Sequence, residues 1–348
     1  QAPISHDTFA YVSERLDPEQ LRRGATWIHR QLKRGKAFAA SKIHGLLAVS
    51  LDANEQFCSD HRCCADCLSR QVTRKNAAGE EVKTTQYYHK QVYAQISGPA
   101  LSVVLDFEPL QPGEEECAAA LRLLRRLRQN YGPRFFDVVV VDSWYTNGPF
   151  LQTVVAELGW PVVAVLKQER YEVYQETLAL TRGEKPTQQV ERDGRQVELW
   201  AVDALRFSDT YTGPVRVVRA RERWTERQRR GGQWQRHAKE QNWLWVVAGA
   251  LDGYGGAVIR DLGHSRWKIE NNAFGELTQH WHLTHCAHHQ PVAVVALLWI
   301  KLIAFTLFHA FAILHGKRLR LGLATLNEIR KQLYRSLLCG EPILFFSG

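Results

Sequence analysis

Three carboxylates in this chain stand where apolar residues belong. Asp52 ends the alternating run GLLAVSLD, and Asp142 ends FDVVVVD. Glu270 interrupts a helical stripe of Trp267, Phe274, Leu277 and Trp281 in GHSRWKIENNAFGELTQHW. A buried carboxylate is costly unless it is paired or bound to metal. Each has an ordinary explanation alone. An Asp at a strand end commonly caps a turn, and Arg266, one helical turn before Glu270, could neutralise it as an ion pair. Their joint occurrence points to chemistry. Three convergent acids suit hard divalent cations, Mg2+ or Mn2+, taken by carboxylate oxygens. Two such ions about 3.5 to 4 Å apart activate water or a 3′-hydroxyl and stabilise the leaving oxygen at a phosphodiester.

The elements that must position these acids follow from periodicity. Residues 1–42 read as a basic helical segment, with a Pro at a helix start and a Gly near its end in DPEQLRRGATWIHRQLKRG. A strand over GLLAVSLDANEQF follows, then a Cys-rich loop, a polar turn at NAAGEE and two strands, TQYYHKQVYAQIS and ALSVVLDFEPL. Next comes a helix from Gly113 to Asn130, acidic at its start and basic toward its end as the helix dipole favours. The fully apolar strand FDVVVVD, a helix over 148–158 and the strand PVVAVLK complete the run. Three hairpin-like strands followed by alternating β and α units predict an α/β fold, an α+β mixed sheet with helices packed on it.

Strand order, the three acids and the helix RWKIEN resemble the ribonuclease H-like catalytic core of DDE transposases of bacterial insertion sequences. The resemblance runs from about Leu46 to Leu314 and is strongest to the group with a β-strand insertion before the last acid. That group carries a Tyr-x2-Arg-x3-Glu-x6-Lys signature. Arg266 and Glu270 match its centre, whereas Gly263 holds the Tyr position and Leu277 the Lys position. The resemblance implies Asp52, Asp142 and Glu270 as ligands of two Mg2+ (or Mn2+) ions, with Arg266 contacting DNA phosphate or orienting Glu270. It also implies hydrolytic nicking and strand transfer at element ends, DNA as partner, a homodimer on DNA, and a bacterial, cytoplasmic, nucleoid-associated setting. Asp106 in VVLDFEP, together with Glu108, is the rival first acid; Asp52 is preferred because it lies on the strand that opens the order. A catalytically idle DNA-binding descendant, or a nuclease of this fold without strand transfer, are the other functions the pattern allows.

On this reading the chain has five segments. The basic helical segment covers 1–42. The ribonuclease H-like core begins over 43–167, with a Cys/His-rich loop at 58–67, and is interrupted by a β-rich DNA-contacting insertion over 168–249. The core resumes over 250–315 with the Glu270 helix, and a C-terminal tail spans 316–348. Lys plus Arg exceed Asp plus Glu by 45 to 36, a formal charge of +9, which suits an anionic partner. From Arg216 to Lys239 nine Lys or Arg face two Glu, so +7 of that excess falls in the insertion. Trp224 and Trp234 lie among these charges. Phosphate neutralisation by Arg223, Arg227, Arg229 and Arg230, with base stacking on Trp224 and Trp234, is the expected use. Trp243 and Trp245, in the alternating run NWLWVV, are expected to be core.

CSDHRCCADC offers Cys58, His61, Cys64 and Cys67 at two-residue spacings, four N/S ligands for a closed structural Zn2+ site, with His89 in YYHK as a substitute partner. Most of the seven Cys are packed into this loop, unlike a disulfide framework, so a reducing cytoplasm is expected. A hydrophobic content of 45% with 23% charged residues excludes extensive disorder. The chain contains no Met and so lacks its initiator: either it was processed or an upstream segment is missing, and the second is expected. No secretory signal pattern is visible. VAVVALLWIKLIAFTLFHAFAIL is long enough to span a bilayer, but Lys301 lies in its middle, so a buried core helix is expected and no membrane.

Overall fold

The computed structural model describes residues 5–76, 79–99, 103–230, 233–267, 269–315 and 326–340; the side chains of Arg230 and Glu270 lie outside the described residues. The chain divides into two units. The first holds Gln1–Lys42, Ala53–Ala119 and Lys268–Gly348, and the second Ile43–Asp52 and Ala120–Trp267. Two elements run through both bounds: strand β1 (Ala48–Ser59), and helix α3 (Glu116–Tyr131).

In the second unit the start of β1 pairs in parallel with β5 (Val138–Val141), and β5 pairs in parallel with β6 (Val162–Val165). Both short strands are apolar and buried throughout, as a strand covered on both faces requires. A short helix α4 (Gly148–Gln152), continued by a π-helical turn, and α5 (Glu172–Leu180) follow β5 and β6. The β-rich block then extends the same sheet. Strand β10 (Gln233–Ala248) lies antiparallel to β6, and the order continues through β9 (Tyr211–Arg230), β8 (Arg195–Ser208) and β7 (Gln188–Arg192). Helix α6 (Gly256–Ser265) covers one face, placing Ala257, Ile259 and Leu262 in a core with Ala48, Val138, Val140, Val163, Val218, Ala220 and Trp245. The expected core placement of Trp245 holds, and Trp243 packs beside it with the two rings 5.9 Å apart and nearly parallel.

In the first unit, α1 (His6–Ser13) and α2 (Pro18–Arg34) form the expected helical start. Asp17 caps α2 by accepting from Glu19 N, and Pro18 sits in its first turn where a missing N–H costs nothing. Strand β3 (Glu81–Ile96) pairs antiparallel with β4 (Val103–Pro109) and with β2 (Leu68–Lys75), and neighbours β1 in the sheet order. β2 is a strand where the sequence suggested only loop. LSRQVTRK is exposed along nearly all its length, so it carries no apolar period to read. The order β4-β3-β1-β5-β6, antiparallel at β4-β3 and parallel at β1-β5-β6, is a mixed sheet of the α/β class the sequence predicted.

Helix α8 (Pro291–His315) is the apolar helix long enough to cross a membrane, but half of its apolar window is buried inside the protein. Leu298, Trp299, Leu302 and Phe305 share a core with Ala25, Tyr93 and Phe107, and Lys301 Nζ donates to the carbonyls of His282 and His285. α9 (Leu326–Cys339) supplies the helix of the tail; the apolar end after Gly340 lies outside the described residues. The stretch around Glu270 departs from expectation. Instead of one helix carrying a continuous stripe, α6 ends at Ser265, a π-helix spans Ile269–Phe274, and α7 (Gly275–Trp281) follows. The wider π turn breaks the 3.6-residue period. Phe274, Leu277 and Trp281 therefore pack in the core of the first unit, while Trp267 packs against Trp243 in the second.

Candidate active site and nucleic-acid surface

β1 and β5 run parallel with partners Ala48↔Val138, Val49↔Val139 and Ser50↔Val140. Carrying that register two residues further sets Asp52 level with Asp142. Both then follow the inward parity of Ala48 and Val138, Asp52 within β1 and Asp142 just past the end of β5, on neighbouring strands about 4.8 Å apart. Both carboxylates are half-buried. The face they share is the one α6 covers, and the residue that caps the C-terminus of α6 is Arg266. Its side chain is buried, its Nη1 lies 3.6 Å from Asp52 Oδ2, and its guanidinium sits 4.6 Å from the centre of the Trp267 ring. The rival Asp106 is engaged elsewhere. It is buried in β4, accepts from Phe107 N at 2.7 Å and pairs with Arg22 Nε at 3.3 Å.

The backbone after Asp142 is held at several points. Asp142 Oδ1 accepts from Trp144 N at 2.8 Å, capping a short 3-10 turn, Ser143–Tyr145. Thr146 Oγ1 donates to Asp142 O and to Val165 O at the end of β6, and Tyr171 Oη donates to Thr146 O. This turn presents Trp144 with 66% of its surface exposed, two residues past Asp142. The sequence carries this signal as an indole two residues after the strand-end acid in VDSWY.

Glu270 falls within the π-helix, and its side chain lies outside the described residues. The two departures from the signature have physical causes. A Cβ on Gly263 would lie 2.1 Å from Trp245 Nε1, so α6 approaches β10 too closely for any side chain there. Leu277 is fully buried among Tyr93, Phe274, Trp299 and Phe305, where an ammonium would have no water.

A further acid lies on the inner sheet face. Glu222 continues the inward series Val218, Ala220 along β9 and is fully buried. It accepts from Arg260 Nε at 2.8 Å, from Arg195 Nη1 at 2.8 Å and pairs with His264 Nε2 at 2.7 Å. Burial alone would raise its pKa, but the hydrogen bonds and charges of His264 and Arg260 outweigh it and hold the carboxyl down at about 2. Its parity marks it in the sequence, where it stands as one of two Glu in a basic run.

That basic run forms the outer part of the β9–β10 hairpin. Pairing sets Trp234 opposite Arg229, Arg236 opposite Arg227 and Glu240 opposite Arg223. Opposed residues share a face, so Arg223, Arg227, Arg229, Trp234 and Arg236 lie on one side, and Trp224 on the other. Arg227 and Arg229 are exposed, and Trp234 is 69% exposed. Arg223 donates to Glu240 at 2.8 Å. Trp224 is half-buried beneath the guanidinium of Arg195, 4.2 Å from its ring centre. The two indoles expected to act together thus face opposite ways. The side chain of Arg230 and the Gly231–Gly232 turn lie outside the described residues.

Of Cys58, His61, Cys64 and Cys67, the structure brings only Cys64 and Cys67 together; they meet His89 and His289. Cys58 belongs to extended β1 and is exposed, and His61 is exposed with its N–H donating to Ser59 Oγ. Two-residue spacing converges side chains only where the backbone turns, as it does between Cys64 and Cys67.

The family described as the transposase DDE domain matches residues 71–307, a stretch that holds Asp142, Arg266 and Glu270 and begins after Asp52. No curated protein matches the chain. Among solved structures, a piggyBac transposase in a synaptic complex with hairpin DNA is similar at 12% identity and a TM-score of 0.46. The similarity covers 83% of this chain and 52% of that one, so the chain spans about half the length of that transposase. With its match running over most of the sequence, the chain belongs to the transposase DDE-domain family.

Proposed function

We propose that the protein is a DNA transposase that hydrolyses phosphodiesters and transfers strands at the ends of an insertion sequence. The observation that supports this reading is the parallel β1–β5 register, which, continued two residues beyond Ser50↔Val140, levels Asp52 with Asp142. Two half-buried carboxylates at one level are a donor set that fits Mg2+ or Mn2+, and Glu270 is the third ligand in this reading. When bound, two such ions polarise the scissile phosphate and lower the pKa of the attacking water or 3′-hydroxyl. The chain's own residues hold the substrate. Arg266 orients Asp52 and presents positive charge where the phosphate arrives. Arg223, Arg227, Arg229 and Arg230 grip the backbone of the element end, and Trp234 stacks on a base. Trp224, under Arg195, braces the hairpin behind them. Residues 168–249 are the DNA-contacting region, and two copies act together on paired ends in the bacterial nucleoid.

The test supplies pre-cleaved duplexes carrying the inverted repeats that flank the element, a target plasmid and Mg2+. Joined product is expected from the unaltered chain. Asp52→Asn, Asp142→Asn and Glu270→Gln should each abolish it while leaving duplex binding intact. Joining that survives any of the three substitutions would sink the three-acid mechanism. Cleavage without joined product would instead identify a nuclease.

A further inference from the structure

We propose that Cys64, Cys67, His89 and His289 bind one structural Zn2+, a site independent of the acids and closed by a residue far along the chain from the Cys-rich loop. Cys64 and Cys67 lie in the turn between β1 and β2, His89 lies on β3, and His289 lies just ahead of α8. All four donor atoms fall within 4.8 Å of one another.

Five of the six separations match the edges of a tetrahedron, and the sixth, between Cys64 Sγ and His289, is within 4.8 Å. With Zn–S near 2.3 Å and Zn–N near 2.0 to 2.1 Å, tetrahedral angles give about 3.8 Å for S···S, about 3.6 Å for S···N and about 3.3 Å for N···N. The Cys64 and Cys67 sulfurs are 3.7 Å apart. Each lies 3.4 Å from His89 Nε2, and Cys67 Sγ lies 3.3 Å from His289 Nε2. The two imidazole nitrogens are 3.2 Å apart.

Hydrogen bonding alone does not account for this cluster. His89 Nε2 faces both sulfurs and His289 Nε2 at once, and a ring nitrogen either carries one proton or offers one lone pair. A disulfide is excluded because the sulfurs stand well beyond the bonded distance of about 2.0 Å. The backbone turns tightly around the two sulfurs. Cys64 N donates to Cys67 Sγ at 3.3 Å, and Cys67 N donates to Cys64 O, forming a tight knuckle. Phe57 packs against the His289 ring, with centroids 4.8 Å apart, and shields that side. Four protein ligands leave no open position, so the ion is structural. It would tie the β1–β2 turn and β3 to the start of α8 within the first unit.

The experiment is metal analysis of the full chain purified without added zinc. About one Zn per chain is expected. Cys64→Ser and His289→Ala should each lower zinc content at least tenfold, whereas the double variant Cys58→Ser/His61→Gln should retain it. Should those variants fail to fold, His289→Cys replaces the imidazole by a thiolate, also a zinc ligand, and should keep the zinc. Replacement by Co2+ should then give the intense visible absorption of a tetrahedral site, with stronger sulfur charge transfer in His289→Cys. A zinc-free chain, or zinc lost from Cys58→Ser/His61→Gln but kept in His289→Ala, would overturn the assignment. Neither readout involves DNA, so the outcome is separate from that of the joining assay.

Discussion

Arg266 Nη1 lies 3.6 Å from Asp52 Oδ2, and the guanidinium is buried while Asp52 keeps 17% of its side chain exposed. The cation is fixed and the carboxylate is the partner that can still meet solvent. Removing the guanidinium leaves Asp52 without this counter-charge; removing Asp52 leaves a buried cation without it. Arg266→Ala is expected to cost about 3 kcal/mol of unfolding free energy, the range for breaking a buried pair from one side. Arg266→Lys should recover part of the stability but not the flat contact with Trp267. Urea titration of the two variants checks this, and equal costs for Ala and Lys would contradict it.

Glu222 gives the fold an acid-sensitive joint between β9 and α6. Its carboxyl is held at about 2, below its ordinary 4.5, so the folded state binds fewer protons than the unfolded state across that window. The stabilisation is therefore complete above about pH 4.5 and is lost as the pH falls through about 2. Glu222→Gln should flatten this acid limb and cost about 3 to 4 kcal/mol at neutral pH, because Arg260 and Arg195 lose their shared carboxylate. Thermal melts at pH 7 and pH 3 compare the two proteins. The expected difference between them is larger at pH 7.

Gly263 is fixed by contact, not by backbone conformation. Its added Cβ would press on Trp245 Nε1 at 2.1 Å, and Trp245 is itself packed between Trp243 and His264. The indole has nowhere to go, so Gly263→Ala should cost about 2 kcal/mol, typical of overpacking. A melting temperature unchanged in Gly263→Ala would show that α6 can lift from β10.

The contrast between legible and illegible regions follows from what each residue touches. β1, β5 and β6 were readable because burial on one or both faces leaves a local hydrophobic pattern, and Asp52 and Asp142 stood out by ending it. β2 was missed because its pairing with β3 is made through backbone, with no buried face to imprint a period. Gly263 and Leu277 could be recognised as departures, yet their cause lies in Trp245 and in the core around Phe305, contacts that no local window contains. His289 is the extreme case. It reaches Cys67 from 222 residues along the chain, so the sequence exposed the cysteines but not their full set of partners.

The outer hairpin permits the sharpest separation of roles, because parity divides its two indoles. Arg227, Arg229 and Trp234 share an exposed face, whereas Trp224 lies on the other with Arg195 over its ring. If that exposed face carries DNA, Arg227→Ala/Arg229→Ala should reduce the slope of log affinity against log salt by about 2 on duplex DNA, near 0.9 for each phosphate contact. Trp234→Ala should leave that slope unchanged while weakening binding to single-stranded or frayed ends by about 1 to 3 kcal/mol, the value of one lost stack. Trp224→Ala should change neither by more than about twofold, its cost appearing as stability through the lost contact with Arg195, about 0.5 to 1 kcal/mol for a cation over a partly exposed ring. Fluorescence anisotropy across a salt series, with duplex and single-stranded probes, reads all three. An equal loss of affinity in Trp224→Ala and Trp234→Ala would mean that the hairpin meets DNA edge-on, and the one-face arrangement would have to be abandoned.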